Sequence, residues 1–483
     1  MKKIVFLLLS VSLAPIATFA QYDSIVNSFQ NEFDQFKQST IENHNAFINH
    51  NDSVFISFLK ESWEEMEVFK NKKENEPKPV KQPVIKEDTL SKKIPYISPK
   101  SIPDLPIKGK PELKTSQLKP VIFDTCIIVD SFNFYGQTEK LYYDPRRTPK
   151  INKINKNSIS QFYTSLAKNN DFWDYDLTLL NQAKKSYALN DWGFFQLVKT
   201  MSARIYKQKN EQALFSWYLL LKSGYDVKIG YLKNNIYLLI PSVQKIYDIL
   251  YLNNTTRTYY IFDSSNKKIE DIKTYKGNYP GSDRKFSFDL PYYPAFTGEQ
   301  KYRTISFEGR TGTFCFKKQI FNFLDTYPLC DLNSYFHSGI SEYNYTVLDS
   351  LLNPAMLNKN NRKKVDLLLN FCQNSLKYET DEEQFGKERY LFAEESFYYP
   401  YCDCEDRAIL LSTLVKHYTG LSSVALDFPG HVALAVHFPE EEKGTYVTYA
   451  DKKYIVCDPT YIHAKSGMLP EEFKKFKPEI VTF

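Results

Sequence analysis

The fold of this chain is decided by residues 401–461, which contain YCDCEDRAILLSTLVKHYTG (401–420), SVALDFPGHVALAVHF (423–438) and YIVCDPTY (454–461). Apolar residues at helical spacing follow Cys404 and Gly420 ends the run, which predicts a helix over residues 405–418. The short apolar runs that begin after His431 and end before Asp458 have the length of strands. Together they predict a fold of the α+β class.

Three polar residues mark the edges of these segments. Cys404 precedes the helix, His431 precedes one strand and Asp458 follows another, each 27 residues from the next. A helix N-terminus stabilises a thiolate, a nearby His can take the thiol proton, and an Asp can fix the tautomer of that His. The pattern predicts a Cys-His-Asp nucleophilic site. The acidic neighbours of Cys404 should raise its pKa, so the helix terminus and an imidazolium at His431 must outweigh them.

This stretch resembles the transglutaminase-like superfamily, whose papain-like core carries Cys, His and Asp in the same chain order. The resemblance rests on DCEDRA (403–408), PGHVA (429–433) and CDPT (457–460), preceded by a helix and an acidic loop. It covers the last quarter to third of the chain. Val432 departs from the pattern, because many members have Trp after the His. The resemblance therefore does not define the acceptor-side wall of the site.

The resemblance implies an exported cysteine enzyme that acts on amide bonds of a protein or peptide substrate. Cys404 would form an acyl-enzyme, His431 would act as base and then acid, and Asp458 would orient His431. Exported bacterial relatives more often look hydrolytic, so a peptidase or amidase is expected before a cross-linking acyltransferase. A non-catalytic binding or scaffold protein with this fold is the alternative from another class.

Two sets of residues in the sequence are candidates for a metal site. Asp403, Glu405 and Asp406 crowd the thiol, and oxygen ligands of this kind suit Ca²⁺. Some periplasmic transglutaminase-like proteinases with a D-C-E-D segment depend on calcium, so the resemblance implies a calcium site here; otherwise Asp406 pairs with Arg407 and Glu405 is solvated. No other cofactor is expected. A weaker alternative makes a metal site of Cys404, His431, His437 and His463, whose spacing lacks the usual tight pairs.

The chain begins with a charged, then apolar, then small-residue pattern over residues 1–20, which is typical of a secretory signal peptide cleaved near Ala20. No later segment reaches membrane-spanning length. The mature protein is therefore expected to be periplasmic or secreted.

Two segments separate this leader from the rest. Residues 21–75 are predicted to be helical, because aromatic and apolar residues recur three or four apart. That seam comprises Tyr22, Ile25, Phe29, Phe33, Phe36, Phe55, Phe58 or Leu59, Met66 and Phe69. A helical hairpin against its own protein is favoured over a self-associating or partner-binding helix. Residues 76–120 are rich in Pro and Lys, which predicts an extended linker, with a ligand for a proline-recognising groove as the alternative.

Residues 121–265 retrace the C-terminal stretch. Asn235 stands where His431 does, Asp263 matches Asp458, and Lys209 falls where Cys404 would be. We interpret this region as a degenerate second copy with a structural or substrate-binding role, and chance similarity of two helix–strand–strand segments is the alternative. The intervening residues 266–345 are predicted to be β-rich, and 346–483 to form the catalytic domain.

Composition excludes one class of function. Apolar residues make up 42% of the 483 residues, enough for sizeable cores, and the net charge is only +5. No basic stripe with interleaved aromatic residues is present, so nucleic-acid binding is not expected. Seven cysteines do not suggest a disulfide scaffold, and the odd number fits one free catalytic thiol.

Overall fold

The computed structural model describes residues 35, 38, 39, 42, 46–61, 63–73, 78–84, 126–254, 257–262, 269–440 and 443–483. The predicted signal peptide and most of the predicted linker lie outside these residues. Among the described helices, none combines the length and the apolar character needed to cross a membrane.

The N-terminal two thirds of the described chain contain helices and strands in alternation. Residues 46–61 form helix α1. The strands are β1 (Trp63–Glu67), β2 (Phe69–Lys70), β3 (Ile128–Phe134), β4 (Gln137–Tyr143), β5 (Lys228–Leu232), β6 (Asn235–Pro241), β7 (Leu250–Asn254), β8 (Arg257–Ile261), β9 (Asp271–Tyr275), β10 (Gln300–Phe307) and β11 (Arg310–Lys317). The helices are α2 (Lys156–Ala167), α3 (Asn170–Ser186), α4 (Asp191–Ile205), α5 (Lys209–Lys222), α6 (Lys318–Leu324) and α7 (Asn333–Phe336).

The C-terminal part carries the remaining elements. Its helices are α8 (Glu342–Met356), α9 (Asn361–Ser375), α10 (Asp381–Phe385), α11 (Glu395–Tyr398) and α12 (Cys404–Thr419). Its strands are β12 (Lys377–Tyr378), β13 (Tyr401–Cys402), β14 (Ser423–Phe428), β15 (His431–Val436), β16 (Tyr446–Tyr449), β17 (Lys452–Cys457) and β18 (Glu479–Val481). The chain is a mixture of α and β structure, as the sequence predicts at the level of fold class.

Two antiparallel sheets organise the molecule. The larger has strand order β1-β9-β5-β6-β8-β7-β2, and the smaller has order β16-β17-β15-β14-β18. Three two-stranded sheets, β3-β4, β10-β11 and β12-β13, accompany them. Strand β15 is buried along its whole length because α12 packs on one face of the small sheet and a separate apolar cluster covers the other. The run HVALAV is therefore apolar throughout instead of alternating.

The larger and the smaller sheet share one pattern of strand pairing. Helix α5 is followed by β5 to β8, and α12 is followed by β14 to β17, with the same neighbour order in each sheet. The turn pair Leu232–Asn235 corresponds to Phe428–His431. Similarly, Ile240 opposite Tyr260 corresponds to Val436 opposite Ile455, and Asn254 opposite Arg257 to Tyr449 opposite Lys452. Strands β9 and β18 add to the same edge of each unit.

The N-terminal segment differs from the helical prediction in part. Phe55 and Leu59 of α1 are buried in the main core, in keeping with a helix packed against its own protein. Met66 and Phe69, however, lie in strands β1 and β2, so a helix through these residues is wrong. Their aromatic and apolar spacing fits a helix locally, but the unpaired edges of the larger sheet offer backbone hydrogen bonds that only strands can use.

The predicted β-rich region is likewise only partly strand. The segments YRTISF and RTGTFCFK form the β10-β11 hairpin. The segment FSFDL instead contributes only an isolated bridge between Phe286 and Ser242. Strand β9 also lies in this region, together with two short helices, α6 and α7, whose buried apolar residues contact the main core.

Candidate active site

Cys404 is the first residue of helix α12. Asp403 precedes it in extended conformation as the N-cap, and the Asp403 N–H donates to Asp406 Oδ2 at 3.2 Å. This arrangement ties the start of the helix together and places the thiol where unpaired N–H groups and the helix dipole favour negative charge. Cys404 itself is fully buried.

His431 and Asp458 meet because β15 and β17 are paired neighbours. His431 opens β15, Asp458 directly follows β17, and His431 Nε2 lies 2.8 Å from Asp458 Oδ2. Asp458 Oδ1 accepts the N–H groups of Thr460 at 2.9 Å and Tyr461 at 3.2 Å. The ring of Phe473 stacks on the imidazole at 4.3 Å. The carboxylate is thus fixed by two backbone donors and in turn fixes the imidazole.

The second imidazole nitrogen of His431, Nδ1, has different surroundings from Nε2. His431 Nδ1 is buried and has no hydrogen-bond partner among the described residues. The N–H of Val432, the next residue, is directed at the Cys404 sulfur and favours its thiolate form. Since Nε2 is engaged by Asp458, Nδ1 is the nitrogen left to exchange a proton with a thiol beside the start of β15.

In this structure the thiol contacts a carboxylate. Cys404 Sγ donates to Glu405 Oε2 at 3.1 Å. Burial raises the pKa of Cys404 well above its ordinary value, and Glu405 and Asp403 raise it further. The acidic neighbours therefore act as the sequence predicts, and together with burial they favour the neutral thiol.

A lysine from the predicted linker reaches into the same place. Lys78 Nζ lies 2.9 Å from Asp403 Oδ2, forms a short contact with Glu405, and lies 3.1 Å from Glu388 and 3.7 Å from Asp381. Sequence reasoning did not find Lys78, Asp381 or Glu388. The acidic lead-in was visible as a loop, but no local pattern in a Pro- and Lys-rich segment singles out one lysine.

The charges in this cluster are strongly coupled. Burial lowers the pKa of Lys78, but Glu405, Asp403, Cys404 and Asp381 outweigh it, so that the pKa stands well above its ordinary value. Burial opposes ionisation of Glu405 too, yet Lys78 and a hydrogen bond from Asp403 lower the pKa of Glu405 to about 2. Burial and Glu405 raise the pKa of Asp403. The cluster is therefore built around an ion pair of Lys78 with Glu405.

The calcium candidates fit a cation unequally. Carboxylate oxygens of Asp381, Asp403 and Asp406 lie within 4.8 Å of one another, as do those of Asp381, Glu388 and Glu405. Asp403 Oδ1 is buried and without a hydrogen-bond partner among the described atoms. Asp406, in contrast, already accepts the N–H groups of Leu391 and Asp403. Asp403 and Glu405 thus fit a cation, whereas Asp406 is committed to the backbone.

The alternative without a metal, in which Asp406 pairs with Arg407 and Glu405 is solvated, disagrees with the structure at Glu405. Glu405 is buried rather than solvated. Arg407 is buried as well, and its Nη2 donates to the carbonyl of Leu376 at 2.8 Å. Arg407 thus holds the end of helix α9 against α12.

The alternative histidine–cysteine metal site is not assembled. His437 Nδ1 pairs with the carbonyl of Lys453 at 2.9 Å, and His463 is exposed. Among the described residues, the clusters with metal-ligand spacing include no histidine. All seven cysteines lie in the described part of the chain and are free.

The upstream positions carry different chemistry. Lys209 opens α5 as Cys404 opens α12, but it is exposed, and so is Asn235 at the start of β6. Asp263 lies outside the described residues.

No family model, curated protein or solved structure matches this chain. The functional argument therefore rests on the site itself.

Proposed function

We propose that this chain is an exported transglutaminase-like cysteine enzyme that hydrolyses amide bonds of a protein or peptide through an acyl-enzyme. The observation that carries the proposal is the His431–Asp458 pair, which leaves His431 Nδ1 without a hydrogen-bond partner among the described residues, while the N–H of the next residue, Val432, is directed at the thiol that opens α12. The site is compatible with Cys-His-Asp chemistry, in which each group has a distinct role.

The steps follow from the positions of the atoms. His431 Nδ1 takes the thiol proton, and the sulfur of Cys404 attacks the amide carbonyl to give a tetrahedral intermediate. Its collapse breaks the C–N bond, with the proton passing from Nδ1 to the leaving amine. Water then adds to the thioester with Nδ1 as base, releasing the acid and the thiol. Backbone N–H groups at the start of α12 would stabilise the oxyanion.

Activation requires a change at the thiol. In the described state the S–H points to Glu405 and not to His431. Rotation of Sγ toward Nδ1 would remove the carboxylate contact that holds the proton. The thiolate–imidazolium pair then gains from the helix dipole and from the Val432 N–H.

Alkylation tests the proposed nucleophile. We expect iodoacetamide, applied from pH 5 to 9 with every cysteine resolved by mass spectrometry, to modify Cys404 with a pH profile that changes in His431→Ala. Cys372 and Cys457 are equally buried and serve as internal controls for unfolding. A Cys404 profile identical in wild type and His431→Ala would contradict the enzyme and favour the scaffold alternative.

Calcium is proposed only as a competitor for the place of Lys78. When bound, Ca²⁺ would neutralise Asp403 and Glu405 and so ease thiolate formation. We expect calcium to accelerate alkylation of Cys404 in the wild type. Cys404 reactivity that is unchanged by exhaustive chelation and by added calcium would exclude this role.

The upstream unit is proposed to be a degenerate copy of the catalytic unit. Its shared strand order and register support this, and exposed Lys209 and Asn235 argue against catalysis there. A polar pocket of about 630 Å³ lies on its sheet, lined in part by Gln244, Arg257 and Lys285. The pocket suits a binding role. Lys209→Ala should leave Cys404 reactivity unchanged.

A further inference from the structure

Residues 78–84 pass the proposed site as a segment with a bend at Val80 and Lys81 and a single bridge at Val84. The hydroxyl of Tyr378 donates to the carbonyl of Pro79 at 2.7 Å. At the other end, the N–H of Ile462 donates to the carbonyl of Pro83 at 2.8 Å, and Val84 forms a parallel bridge with Ile462.

These two anchors flank the catalytic elements. Tyr378 belongs to β12, which pairs with β13 immediately before Cys404. Ile462 lies four residues after Asp458. The segment is therefore held by the elements that immediately adjoin the nucleophile and the carboxylate of the proposed triad.

The side chain of Lys78 links this segment to the thiol. Its ammonium contacts Glu405 Oε1, and the other oxygen of the same carboxylate accepts the S–H of Cys404. Asp403, Asp381 and Glu388 complete the pocket around the ammonium. Lys73 also pairs with Glu388 at 3.2 Å and lies 4.0 Å above the ring of Tyr390, so the outer wall of the pocket accepts a second cation.

This combination is how proteins recognise an extended peptide. Main-chain carbonyls are held by donors of the groove, and a side-chain pocket of complementary charge selects one residue. We infer that the place beside Cys404 held by residues 78–84 is a binding groove for a lysine-bearing peptide, and that residues 78–84 occupy it in cis. The inference deepens the proposed function and rests on it for the identity of the nucleophile.

Occupation in cis keeps the site closed. A substrate carbonyl must reach Cys404, but the ammonium of Lys78 lies on Asp403 and Glu405, the two residues that flank it in sequence. Pro79 and Pro83 lack N–H donors, so the segment makes few backbone hydrogen bonds with its groove. Most of its hold therefore comes from the Lys78 pocket, and loss of that side chain should release it.

The test uses full-length Lys78→Ala, with Lys78→Arg and Lys81→Ala as controls. Lys81 is in the same segment but exposed, and Arg retains the charge. The alkylation rate of Cys404 is compared between the variants at each pH from 7 to 10. Loss of the ammonium by itself raises the pKa of the thiol and slows alkylation, so a faster reaction in Lys78→Ala reports access to the sulfur. We expect the alkylation rate at a given pH to rise roughly tenfold or more in Lys78→Ala, since the groove contacts that remain are weak.

The controls separate opening from unfolding. Lys81→Ala should stay within about twofold of wild type, as expected for a surface change. Cys372 and Cys457 must remain protected in every variant. An alkylation rate of Cys404 in Lys78→Ala no higher than that in Lys81→Ala would overturn the inference.

A peptide added in trans tests recognition directly. The peptide KPVKQPV, which copies residues 78–84, should slow alkylation of Cys404 in Lys78→Ala at about millimolar concentration, the range set by an intramolecular competitor. The peptide APVKQPV should not. Equal protection by both peptides would contradict a lysine pocket. If Lys78→Ala opens the site while His431→Ala leaves the pH profile unchanged, the groove stands and the proposed chemistry fails.

Discussion

The unit built on α5 and the unit built on α12 have the same element order and strand register, but they differ in the side chains at the helix N-terminus and at the start of the second strand. At the start of the helix, Lys209 of the first is exposed and Cys404 of the second is buried. At the start of the second strand, Asn235 is exposed and His431 is buried. The comparison teaches that this scaffold does not depend on the chemistry placed at its helix N-terminus.

One backbone group shows the difference in detail. In the upstream unit the N–H of Ile236 donates to Asn210 Oδ1 at 2.9 Å. In the C-terminal unit the N–H at the corresponding position, Val432, is directed at the sulfur of Cys404. An amide side chain satisfies the donor in one unit, whereas a titratable thiol takes that place in the other. The backbone N–H at this position therefore has a structural role in the upstream unit, whereas in the C-terminal unit it favours the charge of a thiolate.

A second pair of positions solves one problem with different side chains. Gln212 donates to the carbonyl of Tyr206, and Arg407 donates to the carbonyl of Leu376. Both acceptors are helix C-cap residues, Tyr206 of α4 and Leu376 of α9. The larger, fully buried Arg replaces the half-buried Gln where α12 has no exposed face along its first three turns.

The largest expected effect lies in the triad. Asp458→Asn replaces an acceptor with an amide that donates to His431 Nε2, which moves the ring proton to Nδ1 and removes the base. Acylation by a p-nitrophenyl ester, followed by absorbance, should slow by about 10⁴-fold. Asn235→Ala at the matching upstream position should change nothing, and a comparable loss there would erase the distinction between the units.

Next in size is the buried arginine. Arg407→Ala leaves a cavity and an unpaired carbonyl and should lower the free energy of unfolding by about 3 kcal/mol. Gln212→Ala removes one partly exposed hydrogen bond and should cost about 1 kcal/mol. Urea denaturation measures both. Equal losses would show that the two side chains do the same work despite their different burial.

The third prediction concerns pH. Burial raises the pKa of Asp176, in α3, to about 8, opposed only in part by the N–H of Tyr142. The folded protein therefore binds a proton that the unfolded chain releases near pH 4, and this stability is lost as pH rises toward 8. We expect the wild type to lose about 2 kcal/mol between pH 5 and 9 beyond what Asp176→Asn loses. Plots of Tm against pH that run parallel for the wild type and Asp176→Asn would refute this.

The smallest effect should be the same in both units. Gly224 and Gly420 follow α5 and α12 with φ of +86° and +67°, a conformation that an L side chain adopts only with strain. Each substitution by Ala should cost about 1 kcal/mol. Thermal unfolding of the two variants gives the comparison. A much larger cost at Gly420 would mean that the functional site adds a constraint on the helix end.

Much of the site could be predicted from the sequence because its determinants are local. Helix α12 begins at Cys404 and ends just before Gly420 because the cap, the apolar run and the glycine are adjacent in the chain. The pairing of β15 with β17 then follows from two short apolar runs, and it brings His431 to Asp458. The same local signals placed β5 and β6 upstream.

Other features could not be predicted because they depend on partners distant in the chain. Met66 and Phe69 have helical spacing, yet the sheet edges formed by β9 and β7 draw them into strands. Lys78 looks like any other lysine of a polar linker until Asp403, some 325 residues later, supplies its counter-charge.

The sequence by itself determined the helix that carries the thiol, the two strands that carry His431 and Asp458, and the mixed α and β class, since hydrophobic periodicity and capping act over a few residues. The tertiary structure alone decided that Glu405 holds the S–H and that Lys78 holds Glu405. Burial strengthens every charge interaction in that cluster, and burial is a property of the folded chain rather than of any segment of it.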